Sequence, residues 1–163
     1  MKRTSQSFAL IGAMAIIFGA CQKEEPIYGV NNVPLDLIET NKTKLKTTNQ
    51  YVAILYANLF QTALSANEIV EIQKLVESIG DDQVAFEVLI SNFMNEPDVI
   101  LPSDSAMRQN TEFFITETYK RFLIRRPTEA EQTYFINKIG TNNDITSELV
   151  YFSFALSDEY MYY

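Results

Sequence analysis

From about residue 50 onward, apolar side chains recur at helical spacing. Tyr51, Leu55, Leu59 and Ala63 fall on one stripe, widened by Val52, Tyr56 and Phe60. Ser65 and Glu68 then stand at capping-box spacing, the hydroxyl accepting from the third amide while the carboxylate reaches back. Ile69, Ile72, Leu75, Val76 and Ile79 form the apolar face of a second helix. Gly80 is placed to stop it with a left-handed cap. Asp81 or Asp82 opens a third helix with Val84, Val88, Leu89 and Phe93 inside, and Pro97 ends it. Residues 97–106 carry two prolines and read as a connection. The pattern then returns: Phe113, Phe114, Tyr119, Phe122 and Leu123 lie on a long helix, and Thr128 and Glu131 repeat the capping box. Tyr134, Phe135 and Ile139 follow, with Gly140 as the stop. Asp144 is the expected cap of a last helix bearing Ile145, Leu149, Phe152 and Leu156.

This is an internal repeat. Tyr56 aligns with Tyr119, Leu59 with Phe122, Ser65 with Thr128, Glu68 with Glu131 and Ile72 with Phe135, all at an offset of 63. In the third helix the offset becomes 61, pairing Glu87 with Glu148, Val88 with Leu149 and Phe93 with Phe154. The expected fold is all-α, with two related three-helix units (about 50–96 and 110–160) in one domain spanning 35–163. An open three-helix unit buries little alone, so the two should pack face to face or stack. Leu59, Ile72, Leu75, Leu89, Phe122, Phe135 and Leu149 are the expected core. Ahead of the repeat, Leu35, Asp36, Leu37 and Ile38 suggest a short helix near 35–40, followed by a Thr- and Lys-rich piece without periodicity.

The N-terminus has a different organisation. Lys2 and Arg3 precede an apolar run from residue 8 to 18, and Gly19, Ala20 and Cys21 follow. Positive start, short apolar core and small-residue site are the order of an export signal. About a dozen apolar residues fall short of the roughly 20 that a spanning helix needs. A cysteine directly after Gly-Ala resembles the lipobox of bacterial lipoproteins, although Phe18 stands where that family usually has Leu. The resemblance implies cleavage after residue 20 and acylation of Cys21, and two or more acyl chains anchor stably. Gln22, Lys23, Glu24 and Glu25 resemble the signal that sends Bacteroidota lipoproteins to the cell surface. The resemblance implies an outer-membrane protein, lipid-anchored and facing the exterior. Residues 21–34 are polar, with Pro26 and Gly29, and read as a lipidated tether. As a coil it would span on the order of 20 Å.

Composition narrows the function classes. Loss of Lys2 and Arg3 with the signal moves the net charge from −8 to −10. An acidic chain without a basic patch argues against nucleic acid as a partner and against lying flat on an anionic membrane. The chain has no histidine, and Cys21 is its only cysteine. No disulfide, zinc site, C-x-x-C-H haem attachment or His-dependent triad follows from such a set. Neither Asp81 with Asp82, nor Glu24 with Glu25, nor residues 141–144 match the oxygen spacing of a calcium loop. No metal, no cofactor and no catalytic residue is therefore expected, and the protein is read as a non-enzyme.

Tyr119, Lys120, Arg121, Phe122, Leu123, Ile124, Arg125, Arg126, Pro127, Thr128, Glu129, Ala130 and Glu131 resemble a Y-R-x-L-L-x-R-x-P-T-x-x-E signature. Small helical domains of bacterial exported and surface-layer proteins carry it, as do cytochrome-associated domains of planctomycetes. Ser157, Asp158, Glu159 and Tyr160 resemble the S-x-E-F/Y ending of those modules. The resemblance covers roughly residues 113–160 and implies a helical fold and no reaction. Arg125 and Arg126 stand at a helix end, where carbonyls and the dipole favour cations, so their expected role is structural. Arg121 is placed to pair with Glu117 or Glu129.

The aromatic end, Tyr160, Met161, Tyr162 and Tyr163, either tucks into the core or docks on a partner. Core packing ranks first, partner contact through Tyr160, Tyr162 and Tyr163 second, and sugar stacking third, since the chain lacks tryptophan. Asp104, Ser105 and Ala106 resemble the site at which Bacteroidota attach O-glycans. Asn41, Lys42 and Thr43 carry the N-glycosylation pattern, expected to stay empty in a bacterium. The combined expectation is a surface accessory or scaffold subunit of an outer-membrane uptake or secretion complex. The alternative is a glycan- or peptide-binding module. A flat apolar patch favours the first and a concave groove with polar residues the second. If Ser105 is glycosylated, intact-mass measurement on protein from the native cell will show a heavy form that Ser105→Ala abolishes. An unchanged mass removes the site.

Overall fold

Helix starts are set by short polar side chains. Thr47, Ser65, Asp81, Asn110, Thr128 and Thr146 each accept a hydrogen bond from the backbone amide three residues on, satisfying a donor the helix itself leaves free. Three of them complete a reciprocal capping box: Thr47 with Gln50, Ser65 with Glu68 and Thr128 with Glu131. The computed structural model describes residues 42–163, and among these there are eight α-helices. They are α1 (Thr48–Phe60), α2 (Ala66–Ile79), α3 (Asp82–Met94), α4 (Asp104–Gln109), α5 (Thr111–Thr118), α6 (Glu129–Thr141), α7 (Ser147–Ala155) and α8 (Asp158–Met161). α5 continues into one π-helical stretch, Tyr119–Leu123. The fold is all-α; among the described residues the only β-type pairing is an isolated bridge between Leu45 and Tyr162. Cys21, the Gln22–Glu25 cluster, the tether, the short helix near 35–40 and Asn41 lie outside the described residues.

The duplication is visible in space. α1, α2 and α3 correspond to α5 with its π-helical extension, α6 and α7. At an offset of 63, buried Tyr51, Val52, Leu55, Leu59 and Phe60 match buried Phe114, Ile115, Thr118, Phe122 and Leu123. Val76 of α2 matches Ile139 of α6, the one fully buried side chain of each. At an offset of 61, Leu89, Ile90, Phe93 and Met94 match Val150, Tyr151, Phe154 and Ala155. The backbone repeats too. Gln61 (φ 55°) and Ile124 (φ 58°), also 63 apart, are the only non-glycine residues with positive φ among those described. The units meet where α3 contacts α7. Tyr51 crosses the boundary to donate to the Ala155 carbonyl at 3.1 Å and to meet the Tyr160 ring edge-on, centroids 5.6 Å apart.

The core differs from expectation on the helix faces. Leu59, Leu89 and Phe122 are buried, and Ile72 and Phe135 are half-buried against them. Leu75 and Leu149 are not core: they are 53% and 51% exposed. Val84, Val88, Phe113 and Tyr134 are exposed as well. The reason is the breadth of the apolar arc. In residues 149–156 only Ser153 is polar, so periodicity alone does not choose a face. The fold buries the side carrying Tyr151 and Phe154, which removes the larger aromatic area from water. α2 is peripheral and covered along a narrow line at Val76.

Two helix boundaries are also corrected. Gly80 ends α2 in the left-handed conformation as expected, φ 75°. Gly140 instead lies within α6, which runs to Thr141. Arg108 explains this: its guanidinium donates to the carbonyls of Ile139, Asn142, Asn143 and Ile145, so no glycine cap is required there. α7 is capped by Thr146 rather than Asp144, because Asp104 accepts from the Ser147 amide at 2.7 Å and fixes the chain at that point. Residues 97–106 are accordingly not wholly a loop, since α4 begins within them. In urea unfolding, Leu59→Ala is expected to lose about 2–5 kcal/mol, whereas Leu75→Ala should stay within about 0.5 kcal/mol of the parent. Equal losses at the two positions would contradict the assigned faces.

Candidate functional site

The densest polar constellation surrounds Arg125, just beyond the π-helical stretch. Its Nε and one Nη2 proton form a fork on Glu159, both at 2.7 Å. Nη1 and Nη2 form a second fork on Glu131, at 2.9 and 2.7 Å. Nη1 also donates to the Arg126 carbonyl at 3.2 Å, so all five guanidinium donors are engaged. The group lies 4.9 Å from the centre of the Tyr119 ring, a cation–π distance. Glu131 simultaneously accepts from the Thr128 amide at 2.7 Å, closing the capping box of α6. Glu159 also receives Lys42, whose Nζ donates to the Leu123 carbonyl at 2.6 Å as well. Tyr119, Arg125, Thr128, Glu131 and Glu159 are residues of the sequence pattern; Tyr119, Glu131 and Glu159 meet the Arg125 guanidinium, and Thr128 bonds to Glu131.

The electrostatics follow from that geometry. Hydrogen bonding from Arg125 holds the Glu131 carboxyl at about 2, well under its ordinary value, and lowers Glu159 in the same direction. The same bonds raise Arg125 further above its already high value. Burial pushes the Tyr119 phenol up, helped by the charge of Glu131. A guanidinium fixed as a cation and saturated with acceptors has no proton to move. The constellation is a clamp between the π-helical stretch, α6, α8 and the first described residues.

Residues 44–46 and the C-terminal residues meet beside it. Lys44 and Tyr163 exchange backbone hydrogen bonds, and the Lys46 amide donates to the Met161 carbonyl at 2.9 Å. The Lys46 ammonium donates to the Tyr160 carbonyl and lies 3.8 Å from the centre of the Tyr160 ring. Burial and nearby Lys42 bring Lys46 down to about 8. Tyr160 is fully buried, with its hydroxyl accepting from Asn58 at 3.0 Å, so it is a core residue and not a partner contact. Its place at the unit boundary, edge to Tyr51 and tilted against Phe122, accounts for this. Tyr162 and Tyr163 remain exposed.

Several clefts and one surface strip remain, one cleft of about 280 Å³ lying between Asp82, Phe86, Leu156 and Asp158. The first cleft, about 240 Å³, is walled by Tyr56, Phe60, Ile72, Phe93 and four carboxylates: Glu68, Glu71, Glu96 and Asp98. The second, about 330 Å³, is floored by Met107, Phe114 and Tyr151, with Phe113 exposed at its edge and Glu117 and Arg121 at its rim. Arg121 does not pair with Glu117 or Glu129; it reaches the Ile100 carbonyl at 3.3 Å, and Lys120 takes Glu117 at 2.6 Å. The strip comprises Leu75 and Ile79, one turn apart on α2, and Val84 and Val88, one turn apart on α3, all exposed. The sequence places Ser105 in a connection, whereas it stands exposed on α4 and accepts from Gln109 at 3.3 Å. Among the described residues no helix is long and apolar enough to cross a membrane, and no group of three or more ligand-type side chains suits a metal ion.

Sequence reasoning did not find Lys42, Arg108, Asp104 with Ser147, or the clefts. The repeat offset is the signal that exposes the first cleft, because it aligns Tyr56 and Glu68 with Tyr119 and Glu131. Compared with models of protein families, with curated proteins and with solved structures, the chain gives no match.

The clamp makes a signed prediction. Arg125→Ala should cost about 1–3 kcal/mol, since two carboxylates lose charged hydrogen bonds while staying partly hydrated. The depressed carboxyls contribute stability that is fully present above the ordinary carboxylate value of 4.5. That stability is lost as pH falls towards about 2. The difference in Tm between parent and variant should therefore shrink over that range. A difference that stays constant from pH 7 to pH 2 would contradict the ionic role.

Proposed function

We propose that the protein is a non-catalytic, lipid-anchored accessory subunit of an outer-membrane assembly that serves nutrient uptake or secretion, displayed on the cell surface. The observation that carries this reading is the aliphatic strip Leu75, Ile79, Val84 and Val88. The two pairs belong to consecutive helices that contact each other and are joined by the short turn at Gly80 and Asp81. Contiguous apolar surface on a small helical domain costs solvation unless another surface covers it, and such patches mark protein contacts. The anchor reading rests on the lipobox-like segment ending at Cys21 and the charged cluster Gln22, Lys23, Glu24 and Glu25. Exposed Tyr162 and Tyr163 lie against Leu45 and Lys44. They add an amphipathic contact on that side.

A second reading, a glycan- or peptide-binding module, is favoured by the concave cleft beside Phe113 and Tyr151. Its apolar floor and polar rim have the form of a ligand site.

Replacing Lys23, Glu24 and Glu25 by Ala should leave folding and acylation intact but strand the protein inside the outer membrane. Protease added to whole cells should digest the parent and spare the triple variant. Leu75→Glu with Val88→Glu should keep the fold, because both positions are exposed, and lose co-purification with outer-membrane proteins. A parent spared by protease contradicts surface display, and undiminished co-purification contradicts the strip.

A further inference from the structure

The two halves of the domain treat one position differently. In the second half, Arg125 fills the space between Tyr119, Glu131 and Glu159. The first half carries the same walls. Tyr56 occupies the place of Tyr119, edge-on to Phe93 at 5.4 Å as Tyr119 is to Phe154 at 4.9 Å. Glu68 occupies the place of Glu131 and closes the equivalent capping box with Ser65. Asp98 occupies the place of Glu159 at the offset of 61, after a matching turn. There the Val99 amide donates to the Glu96 carbonyl as the Tyr160 amide donates to that of Ser157. The backbone that would carry the arginine is also matched, since Gln61 and Ile124 share the left-handed conformation one residue earlier. The residue itself is not matched. Position 62 is an exposed threonine, too short to cross the gap.

What remains is the cleft of about 240 Å³. Glu71 and Glu96 line it in addition, and among the described residues none of its four carboxylates forms an ion pair. Among the described residues no group of carboxylates lies close enough to hold a metal ion, which disfavours a compact cation and favours a broad one. A planar guanidinium, with donors spread on two edges and faces that stack on tyrosine, meets spaced carboxylates in the way Arg125 does. The geometry points to this cleft as the receptor for an arginine side chain presented by a partner protein, inserted where the first unit lacks its own. Charge complementarity supports a cationic group from outside the chain, because the cleft carries four carboxylates and the whole chain is acidic, with net charge −8. The inference extends the accessory-subunit reading by naming the chemistry of its partner; only the source of the arginine rests on that reading.

The test uses the full chain in detergent, titrated with N-acetyl-arginine amide and, in parallel, with its neutral isostere N-acetyl-citrulline amide. Saturable NMR shifts are expected at Tyr56, Glu68 and Asp98 with the arginine probe, and none with citrulline. They should disappear in Glu68→Gln with Asp98→Asn, where Gln preserves the capping box. Thr62→Arg should fill the cleft from within, removing the arginine response and raising the thermal midpoint. Equal response to citrulline, or an arginine response that survives both variants, overturns the inference. So do cleft signals that move on Lys23→Ala alone, meaning the chain's own tether sits there, or on protein concentration alone, meaning a second copy does. Surface display or strip-dependent co-purification can fail while this titration succeeds, so the two readings fail separately.

Discussion

A single guanidinium in two carboxylate forks is the constraint on which the closed form of this domain depends. Arg125 reaches Glu131 at the start of α6 and Glu159 in α8, and Glu159 in turn holds Lys42. Three segments remote in sequence, around residues 42, 125–131 and 159, thus meet in one charge network. A lysine offers no planar fork and could not serve both carboxylates in this geometry. The residue before the arginine, Ile124, is β-branched yet left-handed at φ 58°, a conformation that persists only where the surroundings over-determine it. The clamp, the Leu123 carbonyl held by Lys42 and the capping box of α6 supply that surrounding.

A burial pattern repeated between the two units, and the place where it breaks, organise the rest. Both units bury the same positions on their first and third helices and leave the second helix peripheral, with one buried side chain each. They differ in what closes the end of the first helix. The second unit supplies its own cation. The first presents tyrosine and carboxylates around a cleft. The same half also bears the exposed aliphatic strip on α2 and α3, so that strip and the cleft carboxylates that form no ion pair among the described residues lie in one unit, while the clamped unit exposes Phe113, Tyr134 and Leu149 of its own. Function as a docking module is the reading that uses both.

Much of this was legible in the sequence, for physical reasons that differ by element. Capping boxes are local and chemically specific, so Ser65 with Glu68 and Thr128 with Glu131 are read directly. The offsets of 63 and 61 survive because the core positions they relate are tightly packed. Helix faces are less legible where nearly every residue is apolar, and Leu149 shows it. Leu75 belongs to a helix covered along one line only, which periodicity does not reveal. Gly140 misleads because the partner that makes a glycine cap unnecessary, Arg108, lies 31 residues before the first carbonyl it binds. Tyr160 takes the core role that ranks first for the aromatic end, with Asn58 and Tyr51 brought to it by the fold.

Native-state hydrogen exchange on the parent and on Arg125→Ala tests the central dependence most directly. If the clamp holds residues 42–46 and the C-terminal residues to the second unit, the amides of Lys44, Lys46 and Tyr163 lose protection in the variant while those of Leu89 and Ile90 in α3 keep theirs. Unchanged protection at Lys44, Lys46 and Tyr163, or an equal loss across α3, would contradict the account.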